Sequence, residues 1–151
     1  MSVFVGVDVG AAGGIAVIDQ HGRVLKAVKM PSTDQDLLDI LCWPTREMPL
    51  VPCRAMLEKV HATPQMGVVS AFTFGGSYRA CRMALTAARL PFDEVSPMKW
   101  QHKLECLSGG DKNLLKQRAQ QLFPDEVVTL YIADALLLAE YCRRLHLGEP
   151  R

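Results

Sequence analysis

Near the start of the chain the apolar positions fall in two β-branched runs, Val3-Phe4-Val5-Gly6-Val7 and Ile15-Ala16-Val17-Ile18. They are separated by the small residues Gly10-Ala11-Ala12-Gly13-Gly14, a pattern that predicts two buried strands joined by a tight turn. Gln20-His21-Gly22 marks a hairpin, and Arg23 to Met30 alternates polar and apolar like a strand with one solvated face. Three consecutive strands with such short connections run antiparallel. Pro31 ends this meander, and Ser32-Thr33-Asp34-Gln35 offers a capping box for a short helix with Leu37, Leu38, Ile40 and Leu41 as its apolar stripe. Trp43 to Pro52 holds three prolines and reads as loop.

Arg54 to Val60 reads as a fourth strand, reached through the helix and therefore placed parallel to the first and beside it. His61 to Phe74 is too irregular for a single element and too apolar for a linker. Gly75-Gly76-Ser77 opens a helix predicted from Tyr78 to Leu90, with Arg79, Arg82 and Arg89 on one narrow arc that is either a solvated face or a phosphate-contacting stripe. After Pro91, Phe92 to Val95 gives a short fifth strand, and Ser96-Pro97-Met98-Lys99-Trp100 starts another helical segment. Leu107 to Lys112 is a flexible loop in which Asp111 reads as an N-cap. It leads into a helix from Asn113 to Phe123 with Leu115, Ala119 and Leu122 on one side, stopped by Pro124. The last element, Ile132 to Tyr141, is apolar almost all round and predicts a helix buried against the sheet. The plan is α/β, a mixed five-stranded sheet with three antiparallel strands and then two parallel ones, flanked by helices in one domain over residues 1–151.

Composition narrows the class without naming a chemistry. About half of the 151 residues are hydrophobic (49%) and 22% are charged, which suits a folded core rather than disorder. No apolar run approaches the ~20 residues of a membrane span and the N-terminus lacks the basic region of a signal peptide, so a soluble protein without a membrane partner is expected. Cys42, Cys53, Cys81, Cys106 and Cys142 are scattered, without a Cys-x-x-Cys pair, and read as reduced, mostly buried thiols. With a net charge of +1, any nucleic-acid partner has to be recognised by the distribution of basic residues.

The chemistry lies in three acids that stand where hydrophobic patterning calls for apolar side chains. Asp8 and Glu58 each lie near the end of their strands, the first and the fourth, and Asp134 lies near the start of the last helix, whose N-terminus offsets part of the cost of its charge. A lone buried carboxylate is either a satisfied structural aspartate or a functional one. Three drawn together in low dielectric need shared protons or a divalent cation. Oxygen-only ligands select a hard ion, Mg²⁺ with Mn²⁺ as substitute, and that ion suits phosphoryl transfer.

Gly6-Val7-Asp8-Val9-Gly10, Leu57-Glu58-Lys59-Val60-His61 and Ala133-Asp134-Ala135-Leu136, in this order, resemble the RuvC-like Holliday junction resolvases of the RNase H-like superfamily. The segments Ser70 to Tyr78 and Val95 to Trp100 are most similar to its phage and bacterial branch. The resemblance implies a homodimeric, magnesium-dependent endonuclease that nicks two opposed strands of four-way branched DNA, in the cytoplasm of a bacterial or phage-infected cell. Carried over by position, Asp8, Glu58 and Asp134 are implied metal ligands and catalytic residues. Lys112 resembles the family's basic residue near the scissile phosphate, its other reading being a solvated lysine at a helix start. One place departs from the family pattern: the further acid three or four residues before the last aspartate is replaced by Tyr131 and Leu130. Asp125 or Glu126 would substitute only if their loop folded back.

Candidate DNA contacts follow the glutamate. Phe72, Phe74 and Tyr78 either stack on bases unpaired at a branch point or pack the core. Lys59, Arg79, Arg82, Lys99, Lys103, Lys112 and Lys116 suit a phosphate track. His61 supports the acids, contacts a phosphate or merely ends a strand. Two other classes compete with the nuclease: a junction-binding protein weakened in catalysis by the absent acid, and a sugar-kinase or actin-type nucleotide fold. The latter needs two such domains and this chain is too short for them.

Overall fold

The computed structural model describes residues 1–148. Strands β1 (Val3–Asp8), β2 (Gly14–Asp19) and β3 (Val24–Lys29) form the expected antiparallel meander. Strand β4 (Cys53–Glu58) lies parallel to β1, and β5 (Phe92–Val95) parallel to β4, giving the order β3-β2-β1-β4-β5. Helices α1 (Asp34–Glu47) and α2 (Val68–Ala87) cover one face. Helices α3 (Pro97–Lys103), α4 (Lys112–Leu122) and α5 (Ala133–Leu147) cover the other.

Strand β1 is buried along its whole length because both faces are covered. Val3, Val5 and Val7 pack toward α1 and α2, whereas Phe4 belongs to the cluster under α5. Gly6 is the point of closest approach: a Cβ there would lie 2.0 Å from the Ala135 carbonyl oxygen and 2.5 Å from the Ala139 nitrogen. The missing side chain therefore lets the backbone of α5 rest directly on the central strand. Residues Ala133 to Cys142 are all buried, as the all-round apolar pattern requires.

Four local readings need correction. Helix α1 begins one residue later in its cap, with the Thr33 hydroxyl accepting from the Asp36 amide at 3.1 Å. It also continues through the proline-bearing stretch as far as Glu47. Pro44 sits in its last turn, where one lost intrahelical bond is the whole cost and the ring is buried. Helix α2 starts ten residues before the predicted Tyr78, so Gly75 and Gly76 lie inside it instead of opening it. Its N-terminal turns leave Val68, Val69 and Phe72 in solvent, so they carry no amphipathic signal. Finally, Arg89 lies beyond the helix end with φ of 55° and does not share an arc with Arg79 and Arg82. The Leu90 amide donates to the Leu85 carbonyl and the Arg89 amide to Thr86, a left-handed termination usually reserved for glycine.

Candidate active site

One row of the sheet carries most of the chemistry. Gly6 of β1 pairs with Met56 of β4, so Asp8 and Glu58, two residues on in each strand, emerge on the same α5-facing side at the carboxyl ends of adjacent parallel strands. Asp134 enters from above in the first turn of α5 and is 2% exposed. Asp8 is itself only 7% exposed.

The three acids lie within reach of one another's charge. Burial, then the charges of Asp134 and Glu58, push the Asp8 carboxyl up from 3.8 to about 8, against a smaller opposing pull from Lys112. Burial also raises Glu58, partly offset by a hydrogen bond from the Trp100 indole N–H at 2.8 Å, with Asp134 raising it and Lys112 lowering it. Lys112 Nζ donates to Asp134 Oδ2 at 2.6 Å. Burial disfavours the Lys112 charge, yet the bond to Asp134 and the fields of Asp134, Asp8 and Glu58 together hold its pKa above the ordinary lysine value.

Among the described residues no three His, Cys, Asp or Glu side chains converge into a ready coordination shell. Lys112 holds Asp134 and Trp100 holds Glu58. The donor set nevertheless suits a hard divalent ion: its donors are carboxylate oxygens, and burial first, then the charges of Asp134 and Glu58, push the Asp8 carboxyl up to about 8, a cost that a cation would relieve. The thiols offer no competing soft site. Cys53, Cys81 and Cys142 are pushed up to about 12 by burial, and all five cysteines are free.

Beside the acids an open cleft of about 640 Å³ runs between α3 and the loop before α4, lined by His61, Met98, Ser108, Gly109 and Lys112 among others. The Gln101 side-chain oxygen Oε1 accepts from the Ser108 amide and hydroxyl and ties that loop to α3. Asp111 is the N-cap expected of it, accepting from the Asn113 amide at 2.9 Å. This cap sets the start of α4, and so the position of Lys112.

The remaining candidates divide. Lys59, Lys99, Lys116 and His61 are exposed, with His61 on the cleft wall. Arg79 is exposed, whereas Arg82 is occupied by Glu94 at 2.9 Å. Tyr78 is partly buried and its hydroxyl donates to Glu94 as well. Phe74 is packed on the core under α2, with its ring against Gly10 in the turn after Asp8. That contact brings the first turns of α2 to the acidic end of the sheet. Phe72, for which base stacking and core packing were both open, is 84% exposed and packs no core. Asp125 and Glu126 line a cleft with His21 and Arg23 at the opposite end of β2, so they do not replace the missing acid. At its two places Tyr131 and Leu130 are exposed.

Sequence reasoning missed Trp100, Gly14 and Lys29. Trp100 is fully buried, and a buried indole needs an acceptor, which was the available signal. Gly14 pairs with Asp8 on one side and Lys29 on the other. A Cβ on Gly14 would lie 2.4 Å from the Tyr131 carbonyl oxygen. The approach to α5 therefore lies directly on the sheet at that point.

Neither a protein-family model nor a curated protein matches the chain. Solved structures do, among them two of RuvC. RuvC of T. thermophilus in complex with a Holliday junction substrate aligns with a TM-score of 0.69 over 98% of this chain and 97% of that one, at 17% identity. A second Thermus thermophilus RuvC structure aligns with a TM-score of 0.69 over 97% and 96%, at 18% identity. Aligned nearly end to end with both, the chain has the RuvC fold.

Proposed function

We propose that the protein is a structure-selective DNA endonuclease that resolves four-way junctions by divalent-metal-dependent hydrolysis of phosphodiester bonds. What supports this is the placing of Asp8 and Glu58 side by side at the carboxyl ends of β1 and β4, with Asp134 of α5 near enough for its charge to act on both. A likeness of fold to a RuvC solved with a Holliday junction substrate supports the choice of DNA.

In this reading Asp8, Glu58 and Asp134 hold the cation. A bound Mg²⁺ or Mn²⁺ supplies charge for a phosphate oxygen and lowers the pKa of an attacking water. Trp100 fixes the rotamer of Glu58 through its 2.8 Å bond. Lys112, on the cleft wall beside Asp134, presents an ammonium to charge developing on the phosphate. Phe72 offers an exposed ring to a base unstacked at the branch, while Lys59, Lys99 and Lys116 give exposed charges for the flanking phosphates. Arg79 and His61 extend that surface; Phe74 and Tyr78 act through their packing, as the ring under Gly10 and the hydroxyl on Glu94. Each chain carries one acidic site, so paired nicks on opposed strands call for a homodimer.

The test is cleavage of an end-labelled four-way junction in Mg²⁺ and in Mn²⁺, with linear duplex of the same sequence as control. Symmetric nicks confined to the junction are expected. Tight junction binding without nicks in either metal would instead favour a binding protein of the same fold, a reading helped by the Lys112 bond that already engages Asp134. Lys112→Ala should lower the single-turnover rate by about 10²-fold and junction affinity by less than about threefold. Equal losses in both would reduce Lys112 to a phosphate anchor.

A further inference from the structure

The acidic row does not end at Asp8. Across the α5-facing side of the sheet the paired positions run Asp8, Gly14, Lys29, from β1 through β2 to the last residue of β3. Paired strands lie about 4.8 Å apart, so Lys29 starts roughly 10 Å from Asp8 with one position between them. That position has no side chain. The Tyr131 backbone fills it, and the Tyr131 ring continues outward to lie under the Lys29 ammonium, 4.2 Å from the ring centroid.

A cation held on an aromatic face keeps its charge, because the ring quadrupole attracts it without neutralising it. Lys29 is exposed, and among the described residues it has no carboxylate partner in hydrogen-bond or ion-pair range. This contrasts with Arg82, Arg143 and Arg144, which are each bound to a glutamate. A glycine and a tyrosine thus fix an ammonium that no carboxylate touches, though Asp36 and Asp39 share its cleft, at one edge of a site whose other cation, Lys112, stands on Asp134.

The geometry points to Lys29, positioned by Tyr131, as a seat for a DNA phosphate next to the one over the acids. This rests on the nuclease reading and extends it by naming the strand edge along which the cleaved strand runs: across β2 toward β3, over the Tyr131 ring. Lys29 binds and orients; it takes no part in bond breaking.

The test is equilibrium binding of a labelled four-way junction, and of linear duplex, in EDTA from 50 to 200 mM salt. Lys29→Met keeps the apolar stem and removes the charge. It should flatten the slope of log K against log salt by about 0.9, so that its deficit shrinks about 3.5-fold over that range. Lys29→Arg should restore the wild-type slope, and Tyr131→Phe, which keeps the ring, should leave it unchanged. A Lys29→Met protein with wild-type melting temperature and wild-type slope overturns the assignment. Equal wild-type affinity for junction and duplex would sink junction selectivity instead, while the slope on either DNA still decides Lys29.

Discussion

Asp8→Asn should lower junction cleavage by at least about 10³-fold while leaving junction affinity within about threefold, as expected for loss of a group that acts on the reacting centre and not on the bulk of the DNA. The substitution is nearly isosteric, and the site is buried, so the backbone has no reason to move. A second readout separates a metal ligand from a structural aspartate. Without divalent cations burial, and then the charges of Asp134 and Glu58, push the Asp8 carboxyl up to about 8 from the 3.8 of a free aspartate. Between those values the native state binds a proton that the unfolded chain has lost, so stability present below about pH 4 declines as the pH rises to about 8. Asparagine is neutral throughout and removes that decline.

Even half of the shift amounts to about 3 kcal/mol, or roughly 6–12 °C in Tm for a chain of this size. In EDTA at pH 8 the Asp8→Asn protein should therefore melt above wild type, and the gap should close toward pH 4. Millimolar Mg²⁺ should raise the wild-type Tm at pH 8 and leave the variant's unchanged. Loss of junction binding in the variant, or a wild-type Tm indifferent to both pH and Mg²⁺, would remove Asp8 from the metal site.

Which parts of this were legible in the sequence follows from which residues carry a one-dimensional signal. The sheet was, because Val3 to Val7 and Ile15 to Ile18 are continuous β-branched runs whose partners lie either a tight turn or a helical crossover away. So was the burial of two carboxylates, because Asp8 and Asp134 interrupt otherwise apolar elements. The start of α2 was not: Val68, Val69 and Phe72 face solvent, so periodicity had no buried stripe to follow. Pro44 hid the end of α1 for the opposite reason, since a proline in a last turn is tolerated when its ring is buried, and burial is a tertiary fact. Lys29 read as one more polar residue of an alternating strand. Its place at the end of the acidic row depends on the register of three strands and on a backbone that crosses Gly14 from more than a hundred residues away.

Gly6→Ala tests the element that joins fold to site. The added methyl would meet the Ala135 carbonyl oxygen at 2.0 Å, the Ala139 nitrogen at 2.5 Å and the Leu138 Cβ at 3.0 Å, none of which is the end of a flexible side chain. Helix α5 must therefore lift from β1, and with it goes the packing of Leu136, Leu137 and Leu138, all fully buried. Overpacking of this kind costs about 3 kcal/mol or more, roughly 6–12 °C in Tm. Asp134 precedes Ala135 on the same helical turn, so it is displaced from Asp8 and Glu58 by the same movement. Where the variant is folded, at low temperature, cleavage should fall about 10²-fold for a shift of about 1 Å. The exposed lysines on α3 and α4 stay on their own elements and keep the DNA bound. A Gly6→Ala protein that melts within 2 °C of wild type and cuts at the wild-type rate would show that α5 is free to adjust, and that the position of Asp134 is set by its bond to Lys112 instead of by the seat of the helix on the central strand.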